Sequence, residues 1–168
     1  MPNVDLKELN QYSPYYVDAK ITGSTLNNYE QFTNKVYNLP ENIKTFFLNS
    51  LKIAEFIKDT MVKNNLTEES GKELARIIRD LLFADFYLGD VVNQIGQRVG
   101  VDDQKAKIIA GLIIIELFSP ILEDLKKIHT QKFASATKEQ EVKDEPSPQP
   151  PIQPPVEDES IIDLRSIL

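Results

Sequence analysis

The chain contains no cysteine, which removes disulfides, thiolate metal sites and cysteine nucleophiles together. His129 is the one histidine in 168 residues, so no pair of imidazoles exists to build a zinc site. The six glycines form neither G-x-G-x-x-G nor G-x-x-x-x-G-K-[ST], the loops that cradle phosphates. Long apolar runs are missing too. The most apolar stretch, Ile108 to Phe118, is interrupted by Glu116 and flanked by Lys107 and Pro120. A membrane span needs about 20 apolar residues, so this stretch is expected to be a buried core helix. Met1 to Tyr16 lacks the basic-then-apolar pattern of a secretory signal. A cytoplasmic protein is the expectation.

Positive charge is scarce and poorly placed for a polyanion. The net charge is −7, and from Lys138 to Leu168 eight acidic residues face Lys138, Lys143 and Arg165. The remaining body is close to neutral, with no basic face of the kind that holds nucleic acid or anionic lipid. Neither is an expected partner, and neither cofactor nor metal is expected.

What is present is helical periodicity. Tyr12, Tyr15 and Tyr16 sit in an N-terminal arm that they either pin to the body or leave loose. Leu26, Tyr29, Phe32, Val36 and Leu39 recur at helical spacing up to the Leu39-Pro40 step. Pro40 suits the first turn of a second helix, whose apolar stripe of Ile43, Phe46, Phe47, Leu51, Ala54, Ile57 and Met61 runs to Asn64-Asn65. Thr67 caps a third helix, with Glu68 and Glu69 favourable at its positive end. Leu74, Ile77, Ile78, Leu81 and Leu82 form its inward face. A fourth runs from about Asp85 to Val99 and stops at Gly100, a residue suited to a left-handed C-cap. Asp102 caps a fifth that runs through Phe118. Pro120 cannot continue it, so Ser119 is expected to start a sixth from Ile121 to about Lys132.

A shift of 35 residues superposes part of this pattern on itself. Leu66-Thr67 falls on Val101-Asp102, Leu74-Ala75 on Ile109-Ala110, and Leu82-Phe83-Ala84 on Leu117-Phe118-Ser119. Because caps and breaks coincide along with apolar positions, a repeat of helical hairpins is expected. The tryptophan of tetratricopeptide repeats is missing.

No catalytic constellation emerges. His129 reads as a surface residue near a helix end. Glu116, surrounded in sequence by Ile113, Ile114, Ile115, Leu117 and Phe118, is either a buried acid or a rim residue. Val91 to Ile115 has the rhythm of a helix-turn-helix, but its second helix offers Gln104, Lys105 and Lys107 and then turns apolar, whereas a recognition helix presents several polar side chains.

The clearest candidate is the final segment. A proline-rich spacer, Pro146 to Pro155, leads through Glu157-Asp158-Glu159 to Ile161–Leu168. Taken as a helix capped by Ser160, this segment aligns Ile161, Leu164 and Leu168. Taken as a strand, it aligns Ile162, Leu164, Ser166 and Leu168. Both fit, and the expected partner-binding residues are Ile161, Ile162, Leu164, Arg165, Ile167 and Leu168.

The blocks Asn65-Leu66-Thr67-Glu68-Glu69, Gly100-Val101-Asp102-Asp103-Gln104-Lys105-Ala106 and Phe118-Ser119-Pro120-Ile121-Leu122-Glu123-Asp124-Leu125 carry a resemblance over about residues 40–130. They are similar to blocks in small helical proteins of candidate-phyla-radiation bacteria, which have no settled activity. The chain departs from that group at Ala84-Asp85 and at Gly111. The resemblance implies a helical fold and a bacterial cytosolic setting.

The sequence thus predicts an all-α fold, a compact bundle or short superhelix of five to six helices with a disordered proline-rich tail. Its parts are an N-terminal arm (1–24), a helical domain (25–133), an acidic proline-rich linker (134–159) and a C-terminal apolar motif (160–168). The expected role is a non-enzymatic adaptor that binds a protein partner through the last segment. The alternatives are a homodimeric structural protein whose tail docks in cis or in trans, and a helix-turn-helix DNA-binding protein.

Overall fold

The computed structural model describes residues 6–17 and 26–141, with side chains over 8–17 and 30–134. All regular structure among them is helical. The order is α1 (Leu6–Asn10), α2 (Leu26–Tyr37), α3 (Glu41–Leu48), α4 (Ser50–Asn64) and α5 (Glu68–Leu82). A 3₁₀ turn (Leu88–Asp90) then leads into α6 (Val91–Ile95), which continues as a π turn (Gly96–Gly100). Next come α7 (Asp103–Leu112), extended by a second π turn (Ile113–Leu117), and α8 (Leu122–Glu141). No described helix is long and apolar enough to cross a membrane.

Local chemistry sets most of these boundaries. Thr67 Oγ1 accepts the Ser70 N–H at 3.2 Å and starts α5, and Asp102 Oδ1 accepts the Lys105 N–H at 2.8 Å and starts α7. Each cap satisfies an amide that the first turn leaves without a partner. Gly100 takes φ +74° between α6 and α7, a conformation cheap only without a Cβ. Leu74, Ile77, Ile78, Leu81 and Leu82 are all buried, as the spacing of α5 requires.

Four expectations need correction. The single helix expected from Pro40 to Asn64 breaks at Asn49 (φ −78°, ψ 50°). Ile43 and Phe47 share one buried stripe and Ile53 and Ile57 another, and the gap from Phe47 to Ile53 falls short of two full turns. The break absorbs that offset and leaves Leu48 and Leu51 exposed.

The helix expected from Asp85 begins only at Leu88. Residues before it close α5 instead: Ala84 adopts φ +50° and the Asp85 N–H donates to Asp80 O at 2.8 Å, the wrap-around pattern of a Schellman end. The last helix, expected from Ile121 to about Lys132, opens at Leu122 and runs to Glu141. His129, expected at the surface, is 1% exposed.

The core is continuous from arm to α8. Leu9, Tyr12, Ser13 and Pro14 are buried, and Leu9 and Tyr12 join the main apolar cluster, so the described part of the arm is pinned. Tyr12 lies over Gly71, where an added Cβ would stand 2.9 Å from its ring and would collide with Met61 Sδ. Burial pushes the Tyr12 phenol above its ordinary pKa, and Glu68 adds to the effect. Tyr15, Phe32, Phe47 and Phe83 pack ring against ring with centroids 5.3–6.2 Å apart. That cluster ties the arm and α2 to α3 and the end of α5.

The 35-residue correspondence has a three-dimensional counterpart in two helices, α5 and α7 with its π turn; α7 and α8 do not pack on each other as a hairpin. Both helices carry a side-chain N-cap. Both end in a phenylalanine of nearly identical conformation, Phe83 at φ −86°, ψ −2° and Phe118 at φ −88°, ψ −4°. Gly71, Leu74, Ala75, Ile78 and Leu82 are buried, as are their counterparts Ala106, Ile109, Ala110, Ile113 and Leu117.

Candidate functional site

The two helices share five buried positions, but buried Ile77 and Leu81 of α5 correspond to half-buried Leu112 and exposed Glu116, and the outer faces differ more. On α5 the outer positions are Glu73, Arg76 and Asp80, which form an ion network with the π turn after α6. Arg98 donates from Nε to Glu73 Oε2 at 3.2 Å and from Nη1 to Asp80 Oδ2 at 2.8 Å. Arg76 pairs with Glu73, and Arg79 Nε reaches Asp80 Oδ1 at 3.3 Å. All five residues are largely shielded from solvent. The network clamps the end of α6 onto α5.

Thirty-five residues later the same positions hold Ile108, Gly111 and Ile115. With Leu112 they follow i, i+3, i+4, i+7 spacing, which places them on one face of α7. Ile108 is 51% and Ile115 is 73% exposed, and Leu112 and Gly111 are half-buried. A Cβ built on Gly111 meets no atom within 4 Å. This is a helix face with apolar side chains at both ends, a backbone-level notch at its centre, and no charged group replacing the α5 network. The stretch from Ile108 to Phe118, expected to be buried, is therefore buried only along Ile109, Ala110, Ile113, Leu117 and Phe118.

Beside Ile115, Ile114 lines a groove with a volume of about 450 Å³ between the end of α7, the start of α8 and the Tyr87–Gly89 turn. Leu122, Lys126 and His129 form its far wall. His129 Nδ1 accepts the Leu88 N–H at 3.1 Å, which requires the proton on Nε2, and Nε2 donates to Leu81 O at 2.9 Å. Both ring nitrogens are engaged with backbone. Burial pushes the imidazole pKa below its ordinary value, and Lys132 pushes the same way against the Leu81 carbonyl. His129 thus joins α5, the 3₁₀ turn and α8. Neither nitrogen is available to a substrate without opening a backbone hydrogen bond.

A second groove of about 350 Å³ lies where the Asn49 break meets the Pro120 turn. Asn42 crosses its edge and donates to Asp124 Oδ2 at 2.9 Å; that bond and one from Lys127 lower the Asp124 pKa. Glu116 is exposed, the rim position of its two alternatives. Among the described residues no group of three or more His, Asp or Glu is placed to hold a metal ion. No buried side-chain nitrogen or oxygen among them lacks a hydrogen-bond partner.

The expected partner-binding residues Ile161, Ile162, Leu164, Arg165, Ile167 and Leu168 lie outside the described residues. The α7 face was missed in the sequence, although a signal for it was there. Between Ile108 and Phe118 apolar residues occupy every side of the helix, more than one core-facing stripe uses.

No family model, no curated protein and no solved structure matches the chain.

Proposed function

We propose that this chain is a non-enzymatic protein–protein interaction adaptor whose α7 face receives an amphipathic helix, and in which residues 161–168 are a tethered recognition segment. The observation that carries the reading is the exchange of Glu73, Arg76 and Asp80 on α5 for Ile108, Gly111 and Ile115 on α7. Glycine in an exposed helix interior costs about 1 kcal/mol relative to alanine. With no neighbour among the described residues needing that space, close approach of another backbone is what gives the glycine a use. Helix-in-groove recognition employs anchors at this spacing.

The reading includes a bacterial cytoplasmic setting, no cofactor, and neither nucleic acid nor membrane as partner. A face of Ile108, Leu112 and Ile115 gives a DNA groove nothing to read, which leaves the helix-turn-helix alternative without support. The homodimer alternative keeps one argument. The order Ile108, Gly111, Leu112, Ile115 is nearly the same read in either direction, and a twofold contact uses the same patch on both copies.

The test is affinity capture with the full chain carrying Ile115→Lys, beside Val62→Lys at a position equally exposed. Loss of captured proteins for Ile115→Lys alone is expected. An identical set from both variants overturns the reading. Mass measurement across concentration separates the homodimer.

A further inference from the structure

Resting on the reading of α7 as a docking face, we infer that the face is occupied by this chain's own residues 161–168, bound as a helix. Three observations converge on that occupant.

The first is spacing. As a helix, the segment sets Ile161, Leu164, Arg165 and Leu168 at i, i+3, i+4, i+7, the spacing of Ile108, Gly111, Leu112 and Ile115 on α7. Two such faces bring an isoleucine or leucine at each end into register. The long Leu164 and Arg165 stems then cross above the Gly111 notch, where nothing within 4 Å stands in the way. As a strand, the segment would present alternate residues and match only part of this face.

The second is reach. α8 is 20 residues long, about 30 Å at helical rise. Residues 142–160 hold six prolines, which stiffen and extend them, and they reach about 60 Å when fully extended. That reach exceeds the length of α8, and a segment whose tether can span the sites gains an effective concentration on the order of mM or below. Weak contacts suffice at that concentration.

The third is the repeat. On α5 the equivalent face is covered by chain that follows it, through Arg98 of the π turn. On α7 the residue 35 positions after Arg98 is Phe133, whose ring packs on Tyr87 and His129. Ile108 and Ile115 stay exposed among the described residues, and the apolar sequence that follows them at helical spacing is Ile161–Leu168. Docked in cis, the segment masks the face from other helices and makes partner binding competitive with its release.

The absence of native cysteine makes the test direct. Full chains carrying Ile108→Cys or Ile115→Cys, each combined with Ile161→Cys or Ile162→Cys, are oxidised with diamide and run without reductant. With Ile161→Cys, one of the two α7 cysteines is expected to form an intrachain disulfide several-fold faster than with Ile162→Cys. Position 162 has the same tether but points away in a docked helix, so random collision does not separate the two. Equal rates for 161 and 162 overturn the helical docking, and disulfide-linked dimers overturn the intrachain form. If the rates are equal while Ile115→Lys still abolishes capture of partners, the occupant is wrong and the docking face stands. If both experiments fail, the face itself is wrong.

Discussion

The Leu88 N–H donates to Nδ1 of His129 at 3.1 Å, and this bond fixes the neutral imidazole by leaving its proton on Nε2, aimed at Leu81 O. Protonation would put a hydrogen on Nδ1 facing the Leu88 amide. The folded-state pKa lies below the ordinary value, with burial the leading cause, so the unfolded chain binds the proton first as pH falls. The contribution of His129 to stability is full above about pH 6.5, where the unfolded imidazole is neutral. Below that it falls, by up to about 1.4 kcal/mol per pH unit, until the folded pKa is passed. Urea midpoints measured between pH 8 and pH 5 are expected to drop through this window. His129→Gln should lower the midpoint at pH 8 and flatten the profile; a variant profile as steep as the parent's contradicts the assignment.

Arg98 is the cation on which Glu73 and Asp80 converge. Arg98→Met leaves two shielded carboxylates with weaker partners, which should cost about 1–3 kcal/mol. Adding Glu73→Gln and Asp80→Asn removes the stranded charges and should recover part of the loss. Denaturation of the single and triple variants measures this. A triple variant less stable than the sum of its parts would show that the carboxylates do other work.

Gly71 leaves the space that Tyr12 and Met61 fill. Gly71→Ala forces both aside, at a cost of about 1–3 kcal/mol for overpacking a tight site. The loss should be local at first, appearing as faster amide exchange over residues 8–17 before any change in α7. Uniform acceleration across the body would show instead that the arm opens only together with the whole core.

Gly111 predicts the opposite sign. Its Cβ would meet open space, so Gly111→Ala should raise stability by about 0.5–1 kcal/mol through helix propensity and reduced unfolded-state entropy. The same change fills the notch and should slow the cysteine pairing of α7 with position 161. Thermal unfolding and the pairing rate, measured on one variant background, are expected to move in opposite directions.

The sequence spoke most clearly where one residue decides one bond. Thr67 and Asp102 cap their helices through their own oxygens, Gly100 supplies a positive φ, and five apolar residues of α5 point inward at helical spacing. It spoke least where tertiary packing chooses between equal local options. Nothing near His129 in the chain marks its burial, because Leu88 and Leu81 arrive from 41 and 48 residues away. Asn49 breaks a helix whose apolar stripe looks continuous until two buried faces demand different phases. The all-α class and the match of α5 with α7 were legible because caps and breaks repeat together. The outer face of α7 was not, since a helix apolar on every side reads as core until its neighbours are placed.

Ile115 and Val62 are both 73% exposed, and that equality supports the most direct measurement. A photo-activated crosslinking side chain at position 115 of the full chain, compared with one at position 62, asks whether the α7 face is a docking surface or only a solvated one. The account predicts discrete products at 115, among them a crosslink to residues 161–168 found by peptide mapping, and none at 62. Equal, diffuse labelling at both positions would contradict it.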